Sequence, residues 1–370
     1  MTTVRTTHVG SLPRPESLVR LMYAHQEGGG DPAELEAAVT DAVHDVVAMQ
    51  HGAGIDVVSD GEMGKPGFVN YVRERLSGFG GQAAPWSIDD LEAAPELAVA
   101  QYAGHIMPPN CEGEVAYVGQ AGVARDVETL RLALDKTGHD AAFLPAASPG
   151  CIATCSPNLH YPDYDSYLDA LADAMAHEYR AIVDAGLVLQ LDCPDIPMAG
   201  HTNFWCRDEV ERRGLVGFAE RHVAAIDRAL EGIDPSRVRL HLCWGNYEGP
   251  HHLDAPLAEL LPAVLAGRPR MISFEAANPR HEHEWEDVRR LAIPDDVVLV
   301  PGVVDTLNNI VEHPRLVAQR LRRYADVVGP ERVIASTDCG FGTFVGFGRV
   351  GAQVAQMKLQ AMAEGAALVG

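Results

Sequence analysis

Apolar positions fall into two rhythms that take turns along the chain. Helical spacing fills Glu16 to Glu27 and Pro32 to His51, the second with Leu35, Ala38, Val39, Val43, Val46 and Val47 on one face. It returns at Val127 to Lys136, Tyr164 to Ala185, Val216 to Leu230, Leu257 to Ala266, Pro314 to Val328 and Val350 to Leu368. Between these lie short, strand-like apolar runs: around Thr6, then Ile55–Glu62, Ala142–Gly150, Leu187–Asp192, Arg237–Gly245, Arg270–Glu275, Val297–Asp305 and Arg332–Cys339. A further strand candidate is Val115–Gln120. Eight strand–helix alternations predict an α/β fold with a parallel sheet, and eight units favour one closed (β/α)8 barrel over an open doubly wound sheet. The Gly-x-Gly-x-x-Gly signature of a dinucleotide-binding open sheet is absent. The pattern weakens between about residues 78 and 114, where Gly, Ala and Pro are frequent; an inserted hairpin or lid is expected there, within a single barrel spanning residues 1–370.

Composition narrows the function. The 370 residues carry a formal net charge of -23, which repels phosphate backbones and anionic lipid, so neither nucleic acid nor a membrane is an expected partner. Seven cysteines, an odd number in a long chain, argue against a disulfide scaffold. The first residues lack the apolar core of a secretory signal, and no run approaches the roughly 18 apolar residues of a membrane span. A reducing, cytoplasmic setting is expected. Homo-oligomerisation is left open.

Candidate chemistry gathers at the predicted strand ends, where barrel active sites are built. Ser11, Glu62, Asp192, His241, Cys243, Glu275, Asp305 and Cys339 lie at or just after such ends. His241 and Cys243 are two apart, so a strand puts both on one face, where an imidazole nitrogen and a thiolate can take adjacent corners of a zinc tetrahedron. Glu275 and Cys339 end two further strands and complete an N, S, O, S set for Zn2+. Each alone has an ordinary structural reading, as a core histidine, a buried thiol or a helix cap; the joint placement favours the metal. Cys151 and Cys155 have no neighbouring histidine or second pair, and are read as structural. The stretch Arg280–Glu286 is mostly a solvated face, but His281 or His283 could turn inward as a proton donor.

These residues resemble the catalytic barrel of the cobalamin-independent methionine synthase family, over nearly the whole chain. Thr6–Pro13 looks like the family's opening Gly-Ser motif, Asp60-Gly-Glu62 like its second-strand carboxylate, and Gln190-Leu-Asp192 like its fourth-strand aspartate. His241-Leu-Cys243, Ser273-Phe-Glu275 and Asp338-Cys-Gly340 look like its zinc ligands. The resemblance implies zinc-dependent methyl transfer to homocysteine, with Ser11 on the amino acid's carboxylate, Glu62 and Asp192 on its ammonium, and Asp305, His281 and His283 as candidate catalytic groups.

Two departures bear on the donor. The full-length synthases carry a second barrel that helps hold folate, which is not expected here. Leu307 also stands where the family keeps a histidine two residues after the strand-seven aspartate. The expected activity is therefore alkylation of a small-molecule thiol, homocysteine in the first reading, from a non-folate or unidentified alkyl donor. The alternatives are epoxide opening by a zinc-bound thiolate, as in the single-barrel epoxyalkane:coenzyme M transferases, and a zinc-containing binding barrel without turnover.

Overall fold

The computed structural model describes residues 4–85, 87–97 and 107–369. In chain order the strands are β1 (Arg5–Thr6), β2 (Phe79–Gly80), β3 (Asn110–Cys111), β4 (Phe143–Ala147), β5 (Val188–Asp192), β6 (Val238–His241), β7 (Met271–Phe274), β8 (Val298–Val304) and β9 (Ile334–Thr337). Seven form a curled sheet in the order β1-β9-β8-β7-β6-β5-β4, with every pairing parallel. Helices cross between successive strands, because a parallel connection needs a long return and an amphipathic helix buries its apolar stripe on the sheet.

The gap between β1 and β4 is closed by residues 56–58. Thr6 O accepts from the N–H groups of Asp56 at 3.2 Å and Val57 at 3.0 Å, and Val58 bonds to Ala141 O at 3.1 Å and Phe143 N at 2.9 Å. The result is the expected (β/α)8 barrel. This second staff is shorter than the predicted run Ile55–Glu62, because side chains take over its ladder. Gln50 accepts from Ser59 N at 2.9 Å, donates to Ser59 O at 2.8 Å and lies 2.7 Å from His8 Nε2, all buried. Gln50→Leu should therefore leave the Ser59 backbone N–H and C=O without these partners, and His8 Nε2 with only Ser59 Oγ at 3.4 Å, and cost about 2 kcal/mol, since one unsatisfied buried polar group costs ~1–3 kcal/mol. Denaturant unfolding is the check; an unchanged midpoint would show that barrel closure does not depend on this side chain.

Other boundaries moved for local reasons. The helix expected from Val216 starts at Arg207, and its charged first turns hide it; the chain breaks helical geometry at Gly214 (φ 71°). Pro149–Cys155 is a short helix where a loop was expected, its first turn capped by Ser148 Oγ accepting from Cys151 N at 2.9 Å. Val115–Gln120 is not a barrel strand: Tyr117 makes one antiparallel bridge to Leu76, and Gln120 opens the helix Gln120–Thr137. In the insertion, Phe79 pairs with Cys111 and Gly80 with Asn110 as a two-stranded ribbon, and Asp89–Ala93 forms a 3-10 turn. Residue 86 and residues 98–106 of the expected insertion lie outside the described residues. Among the described residues, no helix is long and apolar enough to cross a membrane.

Strand alternation sets the barrel's interior. Arg239 and His241 share the inward face of β6, while Leu240 and Leu242 pack outward among apolar neighbours. The Arg239 guanidinium stacks on Phe143 at 4.1 Å and donates to Thr7 Oγ1 and to His8 O, both at 3.0 Å. A buried cation thus sits in the barrel below the strand ends. On β8 the register shifts between Gly302 and Val304. Gly302 has no side chain because a Cβ would lie 2.4 Å from Asp338 Oδ1, so the shift makes room for that carboxylate.

Candidate active site

The carboxyl ends of the strands surround a cavity of about 90 Å³. Ser11, Glu62, Asp192, His241, Cys243 and Cys339 all line it, as the strand-end argument requires. Glu275, Asp305, His281 and His283 stand outside the lining.

His241, Cys243 and Cys339 converge so that one ligand atom from each lies within 4.8 Å of the others. The two sulfurs are 3.5 Å apart and both cysteines are free thiols. His241 Nε2 is buried without a hydrogen-bond partner, while Nδ1 faces Ser273 Oγ at 3.3 Å. Burial holds the imidazole down at about 4, so it is neutral with a lone pair available. The Cys339 thiol hydrogen bond pulls Cys243 below its ordinary range, and the Gly245 N–H at 3.4 Å helps. An orphaned imidazole nitrogen and two facing sulfurs are a donor set that fits a borderline-soft divalent ion.

Glu275 is held just aside from this cluster. Its Oε1 accepts from Trp244 N at 2.9 Å and its Oε2 from Asn278 Nδ2 at 2.7 Å. The turn that carries it is locked to β9 by Asp338, whose carboxylate accepts the backbone N–H groups of Ala276, Ala277 and Asn278, each at 2.8 Å. Such outer partners fix where a ligand points. Sequence reasoning placed Asp338 beside the last thiol but could not show this clamp, which joins residues about 60 apart.

The substrate-binding candidates are held with comparable force. Glu62 takes a left-handed backbone (φ 57°), a strained state for a side chain with a Cβ. It is pinned there by Asp60 Oδ1, which accepts its N–H at 2.9 Å, and by Arg14, which donates to its carbonyl at 2.8 Å. Gly10 leaves the room that Glu62 needs: a Cβ there would sit 2.5 Å from Oε1. Glu62 Oε2 is buried with no hydrogen-bond partner. Asp192 accepts from Gln190 Nε2 at 2.8 Å. Burial, and then the Glu62 charge, push Asp192 up to about 7, and burial pushes Glu62 up as well. Lys65 and Arg14 offset part of the Glu62 charge, and His241 and Lys65 part of that of Asp192, yet burial still holds both carboxyls up, an arrangement that would favour an incoming small cation. Ser11 Oγ abuts Gly340, where a Cβ would lie 2.0 Å from it.

The proton-donor candidates are elsewhere. His281 is buried between Glu284 Oε2 at 2.8 Å and Asp254 Oδ2 at 3.0 Å, with its ring 4.4 Å from that of Trp244. Burial opposes its charge, but these carboxylates outweigh burial and push it up to about 10. His283 is exposed. Asp305 spends its oxygens on Leu307 N at 2.7 Å and Asn308 Nδ2 at 2.6 Å. Much of the remaining lining is an apolar wall of Phe68, Ile88, Met198, Phe344 and Phe347 with Tyr247, beside Asn246 and Thr343, which bond to each other at 2.7 Å. Phe68 and Phe344 lie 5.4 Å apart, and Phe344 and Phe347 6.4 Å. Sequence reasoning missed this wall, because an aromatic in a loop reads as ordinary packing until the loops are placed.

Comparison with known proteins agrees with this arrangement. A family profile described as "Cobalamin-independent synthase, Catalytic domain" matches residues 4–131. The methionine synthase of Sulfolobus acidocaldarius is 27% identical over 350 residues, covering 92% of this chain and 86% of that one. The methionine synthase of Thermococcus kodakarensis is 27% identical over 368 residues, covering 98% and 93%. A solved B12-independent methionine synthase from Shewanella, in complex with selenomethionine, superposes with a TM-score of 0.73 at 22% identity, covering 99% of this chain and 98% of that one. Taken with the matching strand-end residues, these show that the chain resembles the cobalamin-independent methionine synthase family in fold and in sequence.

Proposed function

We propose that the chain transfers a methyl group to the sulfur of homocysteine, with zinc held by His241, Cys243 and Cys339 and with Glu275 as the fourth protein ligand. The observation that carries this reading is one cavity lined by both a His/Cys/Cys cluster and an under-compensated pair of carboxyls. Zinc bound there would supply the positive charge that keeps a substrate thiol deprotonated near neutral pH. The remaining roles belong to the chain. Glu62 and Asp192 hold the ammonium, Ser11 faces the carboxylate, and the apolar wall keeps water from the methyl carbon. The thiolate sulfur forms the new S–C bond as the donor–carbon bond breaks, and that electron pair leaves with the donor. The carboxyl pair also weighs against a sulfonate-bearing thiol such as coenzyme M, which would meet two like charges and no lysine or arginine among the lining residues.

Asp192→Asn is the test of the amino-acid reading. Removing one member of a desolvated charge pair costs ~2–5 kcal/mol of binding, so homocysteine affinity measured by calorimetry should fall by that amount. The wild type should also bind more tightly as pH rises through about 7, because the ammonium needs the Asp192 carboxylate. The linkage has a definite sign. An acid whose folded pKa is raised from 3.8 to about 7 favours the folded state at low pH, and that contribution is lost as pH climbs through this window. Homocysteine should therefore stabilise the protein most above pH 7. Unchanged affinity in Asp192→Asn would place the amino acid elsewhere.

A further inference from the structure

A second cluster lies behind the apolar wall. It draws on three segments distant in sequence: Asp90 from the 3-10 turn of the insertion, His201 from the segment after β5, and His251 and Asp254 from the segment between β6 and the helix Leu257–Ala266. One ligand atom from each of Asp90, His251 and Asp254 lies within 4.8 Å of the others. His201 Nε2 is 3.4 Å from Asp254 Oδ1. Asp90, His201 and Asp254 are 0%, 1% and 5% exposed.

The hydrogen bonds of this cluster do not close. Asp254 Oδ2 lies 2.8 Å from His251 Nδ1 and accepts from His281 Nε2 at 3.0 Å, His251 Nε2 donates to Tyr247 O at 3.0 Å so that Nδ1 is the nitrogen an ion would take, and Asp90 Oδ2 accepts from the Tyr247 hydroxyl at 2.8 Å. Asp90 Oδ1 and His201 Nδ1 remain buried without a hydrogen-bond partner, and His201 Nε2 and Asp254 Oδ1 meet only each other, at 3.4 Å and without a hydrogen bond. Leaving buried polar atoms unmatched is costly, and carboxylate oxygens are among the costliest. His251 is also held in a left-handed backbone (φ 51°), the only described residue besides Glu62 that is not glycine and does so. Strain of that kind persists where the surroundings dictate a side chain's direction.

We propose that Asp90, His201, His251 and Asp254 form a second divalent-cation site, built from imidazole and carboxylate ligands and separate from the thiolate cluster. Two nitrogens and two oxygens suit a first-row divalent ion such as zinc, manganese or nickel. His281 and Glu284 brace the site from behind, Glu284 accepting from Leu257 N at 2.7 Å while it holds His281. The ion would fasten the insertion to the barrel, continuing a seam already begun by Asp89 N donating to His201 O at 2.7 Å and by the bridge between Ile88 and Thr202. The other side of this seam presents Ile88, Met198 and Tyr247 to the catalytic cavity, so the site would set the wall against which the donor rests.

The experiment is metal counting on the full chain, stripped with chelator, reloaded with Co2+ and desalted. Wild type should retain about two ions per chain. The Cys243→Ser, Cys339→Ser double variant should keep about one, with a spectrum lacking thiolate charge transfer. Asp90→Asn and His201→Gln should each keep about one and retain the thiolate band, which also shows that the barrel has folded. One ion per wild-type chain, lost entirely with the two cysteines, would overturn the proposal and leave water or a bare ion-pair network in the cluster. Two ions retained in folded Asp90→Asn and His201→Gln would overturn it equally.

Discussion

Cys243→Ser and Cys339→Ser should each strip the chain of the proposed metal and reduce methionine formation to background. A serine hydroxyl stays protonated near neutral pH and offers no anionic sulfur, so either change leaves one imidazole, one thiolate and the Glu275 carboxylate, and removes one of the two sulfurs that lie 3.5 Å apart. Loss of an outer-shell partner of a metal site typically costs ~10–100-fold in affinity or activity, and loss of a direct ligand should exceed that. Asp338→Asn provides the scale. It weakens the three backbone bonds that hold the Glu275 turn while sparing the sulfurs, and should fall within that smaller range. Metal content and turnover are read on the same preparations, with thermal unfolding as the control for folding. Full metal occupancy in both cysteine variants would refute the ligand assignment.

The second large effect concerns the donor. Methyltetrahydrofolate should turn over ~10²–10⁴ times more slowly than a methyl donor whose leaving group needs no proton, the range that a positioned general acid is worth. The folate N5 leaves well only when protonated, and this cavity is poor in donors at its far side. Leu307 carries no proton to give. His281 is turned away between two carboxylates, and Asp305 is spent on its own turn. The Tyr247 ring lines the cavity, but its hydroxyl points to Asp90, and burial followed by the Asp254 and Asp90 charges pushes its pKa far above the ordinary value. A methylated corrinoid or a sulfonium avoids the difficulty. Methionine formation measured with each donor under equal conditions decides it; rapid turnover with methyltetrahydrofolate would mean that another group delivers the proton.

Much of this was legible in the chain, and the limits have physical causes. The helix Pro314–Val328 and the strand end at Asp192 followed from periodicity, because there one face is buried and the other is not, while the strand expected to run to Gly245 stops at His241. The same period-two argument put His241 and Cys243 on one face, and the cavity contains both. Periodicity failed where side chains replaced backbone pairing, as at Gln50 and Asp56, which shorten the second staff of the barrel. It failed again at Arg207–Arg213, where charged residues cover a helix that Gly214 interrupts. Sequence placed His281 near the site but not its orientation, which depends on Asp254 and Glu284 arriving from other turns. Buried Arg239 went unnoticed because a cation inside a barrel leaves no local pattern.

The apolar wall has a consequence for how this protein could diverge. The groups proposed to meet the thiol substrate hang from strand ends, fixed by a ladder of hydrogen bonds and by glycines with no spare room. The wall opposite is carried entirely by connecting segments around residues 68, 88, 198, 247 and 344–347. Connections tolerate substitution and changes of length that a barrel staff does not. The two halves of the cavity are therefore separable inheritances. A lineage could exchange one alkylating partner for another by redrawing loops, and retain the same sulfur chemistry throughout.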